Sequence, residues 1–262
     1  MTPRQGRARQ RIGRRLSAAA NEPNRRRRRS TGMGRFKRHW KAWLIGAIAL
    51  GLLAFVGGPW FYINVLSEPP AQELALGEGQ QGGGGAAVPV DGTWAVSEGS
   101  QAGYRVKEIL FGQDTTAVGR TGKVTGTVAL GGTQITSGTV TVDMGSVATD
   151  KSGRDANFRD QIMSVSQFPT STFALQGPVD FGAVPAAGQK VTVKATGQLT
   201  LRGVSKAVRA DLSVVRGNDS IQVQTSIPVM FADYRIPDPG IPGIDIEDNG
   251  VIEVLLNLRK AP

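Results

Sequence analysis

The 262-residue chain contains no cysteine and a single histidine, His39. The first absence excludes disulfides, thiolate metal sites and thiol nucleophiles, so a domain outside the cytoplasm has to be stable by its core alone. The second removes imidazole acid–base chemistry and histidine metal ligation from everything after residue 39. Acids are scarce at the N-terminus. Residues 1–41 hold 15 of the 31 Lys and Arg against one acid, Glu22, a net of +14, while the remaining 221 residues carry 16 bases and 20 acids, a net of −4. The formal charge of +10 therefore describes an arm rather than a body, and any polyanion-binding role would rest on that arm alone.

Residues 1–41 are also nearly free of bulky apolar side chains, too few to offset chain entropy, and are expected to be disordered. From Ala42 to Leu66, AWLIGAIALGLLAFVGGPWFYINVL, no charge occurs over 25 residues. A helix of that length reaches roughly 37 Å and can cross a hydrocarbon core of about 30 Å with some tilt. Trp40 and Trp43 at one end and Trp60, Phe61 and Tyr62 at the other are placed like interfacial aromatic belts. A cleaved signal peptide is the competing reading; the length of the segment and the lack of an A-x-A site after it favour an uncleaved anchor. The flanking bases all precede the segment and Glu68, Glu73 and Glu78 follow it. The expected topology is a single pass through a bacterial cytoplasmic membrane, with the N-terminus cytoplasmic and the rest outside. The arginine run at 25–29 would also meet anionic lipid head groups. Topology accounts for its charge, and no nucleic-acid partner is assigned.

Residues 67–92, SEPPAQELALGEGQQGGGGAAVPVDG, have neither a helical nor a strand period and are expected to be a flexible Pro/Gly linker. Gly77, Gly79 and Gly82 spell G-x-G-x-x-G. With no strand before it and no helix after it, the match fails as a dinucleotide site.

After Asp91 the pattern becomes alternation with period two. In KVTVKATGQLTL, Val191, Val193, Ala195, Gly197, Leu199 and Leu201 share one face, with Lys, Thr and Gln on the other, the mark of a half-buried strand. The same alternation occurs at 124–130, 140–144, 208–214, 221–229 and 252–258, separated by turn signals such as GGT at 131, LRGV at 201 and RGNDS at 216. Some eight one-sided strands imply an all-β antiparallel barrel or sandwich. One segment, KSGRDANFRDQIMSVSQFP, reads as a short helix: Ser152 and Asp155 have capping-box spacing, Asp155 and Arg159 stand i,i+4, and Pro169 stops it. Small residues at Gly126, Ala195, Gly197 and Ala210, together with few aromatics, leave room for a narrow apolar cavity; a fully packed core is the alternative. Carboxylates cluster at Asp155 and Asp160 and at Asp245, Glu247 and Asp248. They fall on turns and helix faces without a base or metal-ligand partner in sequence, so no catalytic residue, metal or cofactor is assigned, and the chain is read as a non-enzyme.

These residues resemble the YceI-like polyisoprenoid-binding family over about 91–262. The resemblance begins at GTWAV, runs through TVTVDMGSVATDKSGRDANFRDQIMSVSQFPTSTFAL, is most specific in VKATGQLTLRGVSKAV, and extends more loosely through FADYRI and DNGVIEVLLNL. It implies an extended antiparallel lipocalin-like barrel at 93–262 with one short helix, whose lumen holds an isoprenoid chain, either a quinone tail or a polyprenyl phosphate. It brings the helix around Phe158 and the Phe168, Phe173 and Leu199 positions to the tail; the further lumen candidates are Val124, Val128, Val140, Val142, Ile162, Val193 and Leu212, and Arg120, in a segment longer and more polar than the family pattern, is a phosphate head-group candidate. Asn157 stands where members of the family often carry a histidine, so a histidine head-group contact is not carried over. The loop IPDPGIPGIDIEDNG at 236–250 is expected to lid one mouth. The expected function is a membrane-tethered carrier or sequestering protein for such a lipid. The alternative is a packed barrel acting as a cell-envelope interaction module.

Exchange of the five arginines at 25–29 for glutamate should scramble or invert the orientation reported by a C-terminal topology fusion. Unchanged orientation, with tight salt-sensitive DNA binding by the arm, would contradict the topological reading.

Overall fold

The structure, a computed structural model, describes residues 36–61, 65, 69–77 and 88–262. Residues 1–35 of the expected arm at 1–41, residues 62–64 and 66 of the expected membrane segment, and 67–68 and 78–87 of the expected linker lie outside the described residues; the last residues of the arm, from Phe36, belong to a helix. Helix α1 spans Phe36–Phe61, with Pro59 in its last turn. Within it Trp40–Phe61, with a mean hydropathy of 2.0, is long and apolar enough to cross a membrane.

The strands are, in chain order, β1 (Gly92–Val96), β2 (Gln101–Leu110), β3 (Gln113–Thr121), β4 (Val124–Gly131), β5 (Gln134–Asp143), β6 (Thr170–Leu175), β7 (Val179–Asp180), β8 (Lys190–Leu201), β9 (Val204–Arg216), β10 (Ser220–Met230), β11 (Ile244–Ile246) and β12 (Asn249–Lys260). A short helix α2 (Ser152–Asn157) lies between β5 and β6 and runs into a π-helical turn at Phe158–Ile162. Strands β1, β4, β5, β6, β8, β9, β10 and β12 follow one another in antiparallel pairing, and β12 returns to β1 through Trp94 opposite Lys260 and Val96 opposite Leu258. This closes an eight-stranded barrel, the all-β fold expected. The N-terminal half of β12 pairs instead with β2, from Val251 opposite Arg105 to Leu255 opposite Gln101, so the β2–β3 hairpin extends the wall beyond the end of β1.

Local sequence explains the strands. In β8 the predicted face is the inner one, with Ala195, Gly197, Leu199 and Leu201 buried and Lys194 and Thr196 exposed. The LRGV turn joins β8 to β9 with Arg202 at φ 47° and Gly203 at φ 72°, the two left-handed positions a tight hairpin needs to match strand twist. Gly197 leaves no open volume, because a Cβ there would sit 2.1 Å from the Phe173 ring; the glycine seats that ring against the sheet.

The capping-box expectation is corrected. Lys151, not Ser152, holds the N-cap position and makes no side-chain cap. Asp155 reaches back beyond it to accept from the Thr149 amide at 2.8 Å and the Thr149 hydroxyl at 2.7 Å. Thr149 offers two donors to one carboxylate where the helix end offers amides alone. Nor does Asp155 pair with Arg159 among the described residues; the i,i+4 ion pair is Asp150–Arg154 at 2.7 Å.

On the outer wall, Glu253 of β12 is buried and takes Arg105 Nε at 2.8 Å and Arg120 Nη2 at 2.9 Å. Residues 69–77, read from sequence as linker, are held against this wall. The Ala71 carbonyl accepts from Arg105 at 2.7 Å and the Gln72 carbonyl from Arg120. Leu74 is buried, and the Gly77 amide donates to Gln222 Oε1 at 3.2 Å. An extended, Pro-containing segment has no internal partners for its carbonyls, and the two guanidiniums supply them.

Removing the shared carboxylate strands two partly desolvated guanidiniums. Glu253→Ala is expected to lower stability by about 3 kcal/mol, read from chemical denaturation; a loss below about 1 kcal/mol would show that the cluster does not hold the wall.

Candidate functional site

The barrel encloses an open cavity of about 1700 Å³, beyond the roughly 300–1,000 Å³ of ordinary small-molecule pockets. Its existence follows from residue size. Inward positions at Ala102, Ala117, Gly138 and Ala210 line it, and side chains so short cannot meet across an eight-stranded barrel. The opposite outcome holds at the closed end, where Trp94 and Leu258, each 1% exposed, pack with Ile221, Leu256 and Val124.

Of the lumen candidates, Val128, Val140, Val142, Phe158, Ile162, Phe173, Leu199 and Leu212 line this cavity. Val124 belongs to the packed cluster around Trp94. Val193 faces a separate small pocket of about 40 Å³ beside Val214 and Val223. Phe168 precedes β6 and lies over the β8–β9 turn, its ring 2.5 Å from where a Cβ on Gly203 would be. Period two told which face these residues occupy but not whether their level along the barrel is open or filled. Arg120 reaches the cavity; its Nη2 meets Glu253 and the Gln72 carbonyl, and its Nε is buried without a hydrogen-bond partner.

Sequence reasoning missed the polar group at the helix side of the lumen. Glu108 of β2 is buried and accepts from Arg154 Nη2 of α2 at 2.8 Å, while Arg154 Nη1 donates to Asp150 at 2.7 Å. The signal was present: Tyr104, Val106, Glu108 and Leu110 share one parity in YRVKEIL, so a carboxylate stands in an apolar phase. Its partner, 46 residues away, could not be read locally.

Tyr104 stacks on Phe158 with centroids 5.1 Å apart and planes 14° from parallel. The ring can lie there because Gly119 is opposite; a Cβ on it would be 2.4 Å from a ring carbon. Burial raises the Tyr104 pKa, the nearby Arg154 charge pulls against this, and Asp155, Glu108 and Asp150 add to the rise. The phenol thus stays protonated and neutral. Two further hydroxyls, Ser171 Oγ and Thr225 Oγ1, belong to cavity-lining residues and are buried without a hydrogen-bond partner.

One mouth is bordered by Ile236, Pro239, Ile241, Ile244 and Ile246 of the 236–250 loop and by Phe111 at the β2–β3 turn. The Phe111 amide donates to the Gly243 carbonyl at 2.8 Å, and β11 pairs with β2, so the loop is stitched to the wall. Among the described residues no group of three or more His, Asp or Glu is placed to hold a metal ion.

Residues 94–258 match the family profile described as the YceI-like domain. Among solved structures the chain is similar to a polyisoprenoid-binding domain from Saccharophagus degradans implicated in plant cell wall breakdown, at 18% identity and a TM-score of 0.55, with 64% of this chain and 98% of that one covered. It is also similar to BcnA of Burkholderia cenocepacia, at 16% identity and a TM-score of 0.46, covering 59% of this chain and 95% of that one. A YceI protein of Campylobacter jejuni matches at 20% identity and a TM-score of 0.39, over 53% of this chain and 83% of that one. At these identities the likeness speaks to fold alone. A search of curated proteins found no match.

Tyr104 and Tyr234 both have pKa values raised chiefly by burial. Above pH 10 the unfolded chain releases these protons while the folded one keeps them, so stability should fall as pH rises past about 10. Denaturant midpoints between pH 9 and 11 should show this slope, reduced in Tyr104→Phe; an identical slope in that variant would contradict the assignment.

Proposed function

The chain belongs to the YceI-like family, and from that premise we propose that it holds a polyisoprenoid lipid in the lumen of its barrel, as a binding protein rather than an enzyme. The observation that carries this reading is the cavity of about 1700 Å³, whose wall is largely apolar. Burying hydrocarbon contributes roughly 0.8 kcal/mol per methylene, or about 4 kcal/mol per five-carbon isoprene unit. A few units therefore supply useful affinity without directed polar contacts. The fold likeness to the polyisoprenoid-binding domain of Saccharophagus degradans supports the same ligand class.

In this reading the apolar helix within 42–66 is an uncleaved anchor in a bacterial cytoplasmic membrane, with the N-terminus cytoplasmic and the barrel outside. The helix Trp40–Phe61 has the length and hydropathy for this, and the distribution of Lys and Arg supports the direction. The basic flank rests near anionic head groups of the inner leaflet. The barrel takes its lipid from the outer leaflet and carries or sequesters it there, with the 236–250 loop covering the mouth. The second reading, an interaction module with a filled barrel, is disfavoured by the open lumen.

Mass spectrometry of organic extracts from the purified full-length protein is expected to find an isoprenoid lipid in molar proportion. A chain that emerges empty and stays empty when offered quinones and polyprenols would sink the proposal. Ile241→Ser with Ile244→Ser should speed ligand release severalfold with little change in stability; unaltered release would remove the lid role of the loop.

A further inference from the structure

Residues 69–77 precede the family match at 94–258, so the way they are held belongs to this chain. The Ala71 and Gln72 carbonyls accept from Arg105 and Arg120, the two guanidiniums gathered by the buried Glu253. Leu74 is buried, while Ala75 beside it is exposed. The Gly77 amide donates to Gln222 Oε1 at 3.2 Å, and Gln222 is itself oriented by donating through Nε2 to Asn257 Oδ1 at 2.8 Å. Arg120, Arg105 and Gln222 stand on β3, β2 and β10, so the segment is fastened at successive points across the outer wall.

The chain is held again at Val88, whose amide donates to the Asn218 carbonyl at 2.8 Å and whose carbonyl accepts from Arg216 Nη2 at 3.2 Å. Asn218, in the β9–β10 turn, and Gln222, in β10, belong to one hairpin. Residues 78–87 therefore leave and rejoin the same hairpin, and a pull from the membrane side is met at 69–77 before it reaches them. The free length of the tether depends on whether that seat is made. From Leu66, the end of the apolar run, to Ala71 an extended chain spans at most about 18 Å, and from Leu66 to Val88 about 77 Å. The seat is also of a kind that opens locally: an extended segment held by backbone hydrogen bonds to side chains and by one buried side chain, Leu74, belongs to the low end of local stability.

We infer that residues 69–77 are a latch that sets the length of the tether between the apolar helix and the barrel. Seated, the latch confines the barrel to a short reach from the bilayer surface. Released, it adds residues 72–87 to the free chain, and the barrel can travel several times farther from the membrane. Arg105, Arg120 and Gln222 are the barrel side of the latch, and Leu74 is its strap side. The consequence for reach rests on the membrane-anchor reading; the seat itself does not.

Because the chain has no cysteine, single engineered thiols report on the seat. In full-length protein in detergent, Leu74→Cys should react with a maleimide at least tenfold more slowly than Ala75→Cys; equal rates overturn the latch. Arg105→Gln, which leaves Glu253 paired with Arg120, should speed labelling of Leu74→Cys severalfold with the circular dichroism of the barrel unchanged. An unchanged rate overturns the role of Arg105. Tether length is read in vesicles containing acceptor-labelled lipid, by energy transfer from a dye on Lys194→Cys, a position whose side chain is 88% exposed. Leu74→Asp, which lies outside the barrel strands, should at least halve this transfer, and equal transfer with and without it overturns the tether role. Protein that fails to float with the vesicles overturns the membrane-anchor reading instead and leaves the labelling result on the seat standing.

Discussion

Everything in the barrel depends on the backbone closure made by β12, which pairs with β10 along its length and divides its other edge between β1 and β2. Antiparallel hydrogen bonding sends alternate side chains inward whatever their size. Eight strands set a circumference that large side chains can just fill. Where the inward positions are Trp94, Ile221 and Leu258 the barrel is solid; where they are Ala117, Gly138 and Ala210 it is hollow. The cavity is thus a result of composition at particular levels of a fixed cylinder, and it cannot collapse without breaking the ladder that surrounds it.

Charge is used inside this apolar frame as a fastener. Glu108 joins the barrel wall to α2 through Arg154, and Glu253 gathers Arg105 and Arg120, whose remaining donors secure residues 71 and 72. Each buried carboxylate is matched by a guanidinium whose several donors can satisfy it and a second acceptor together. Such pairs contribute modestly to net stability, because desolvation offsets attraction. Their consequence is positional: they determine where α2 and the 69–77 segment lie.

Binding a long hydrocarbon and discriminating its end group are separate physical tasks. The first scales with apolar area and needs only a continuous channel. The second depends on a few polar atoms and on what pairs with them. The lumen divides along these lines, with aliphatic strand residues along most of its wall and Tyr104, Ser171, Thr225 and the Glu108–Arg154 pair among them.

Much of this was legible in the sequence, because strands and membrane-length helices are local patterns. Period two in KVTVKATGQLTL and the LRGV turn each depend on neighbouring residues only, whereas the helical segment ends at Ile162, well before Pro169; the missing cysteine and the lone early histidine narrowed the chemistry before any fold was considered. Which strands adjoin, and therefore which inward residues meet a void, is a matter of contacts between distant parts of the chain. Val128 and Val124 share a face and a strand, yet one lines the cavity and the other is packed beneath Trp94. Arg120 has the charge of a head-group ligand, but the fold gives it to a carboxylate 133 residues away. Local periodicity assigned each side chain to a face; only closure of the cylinder decided what that face would meet.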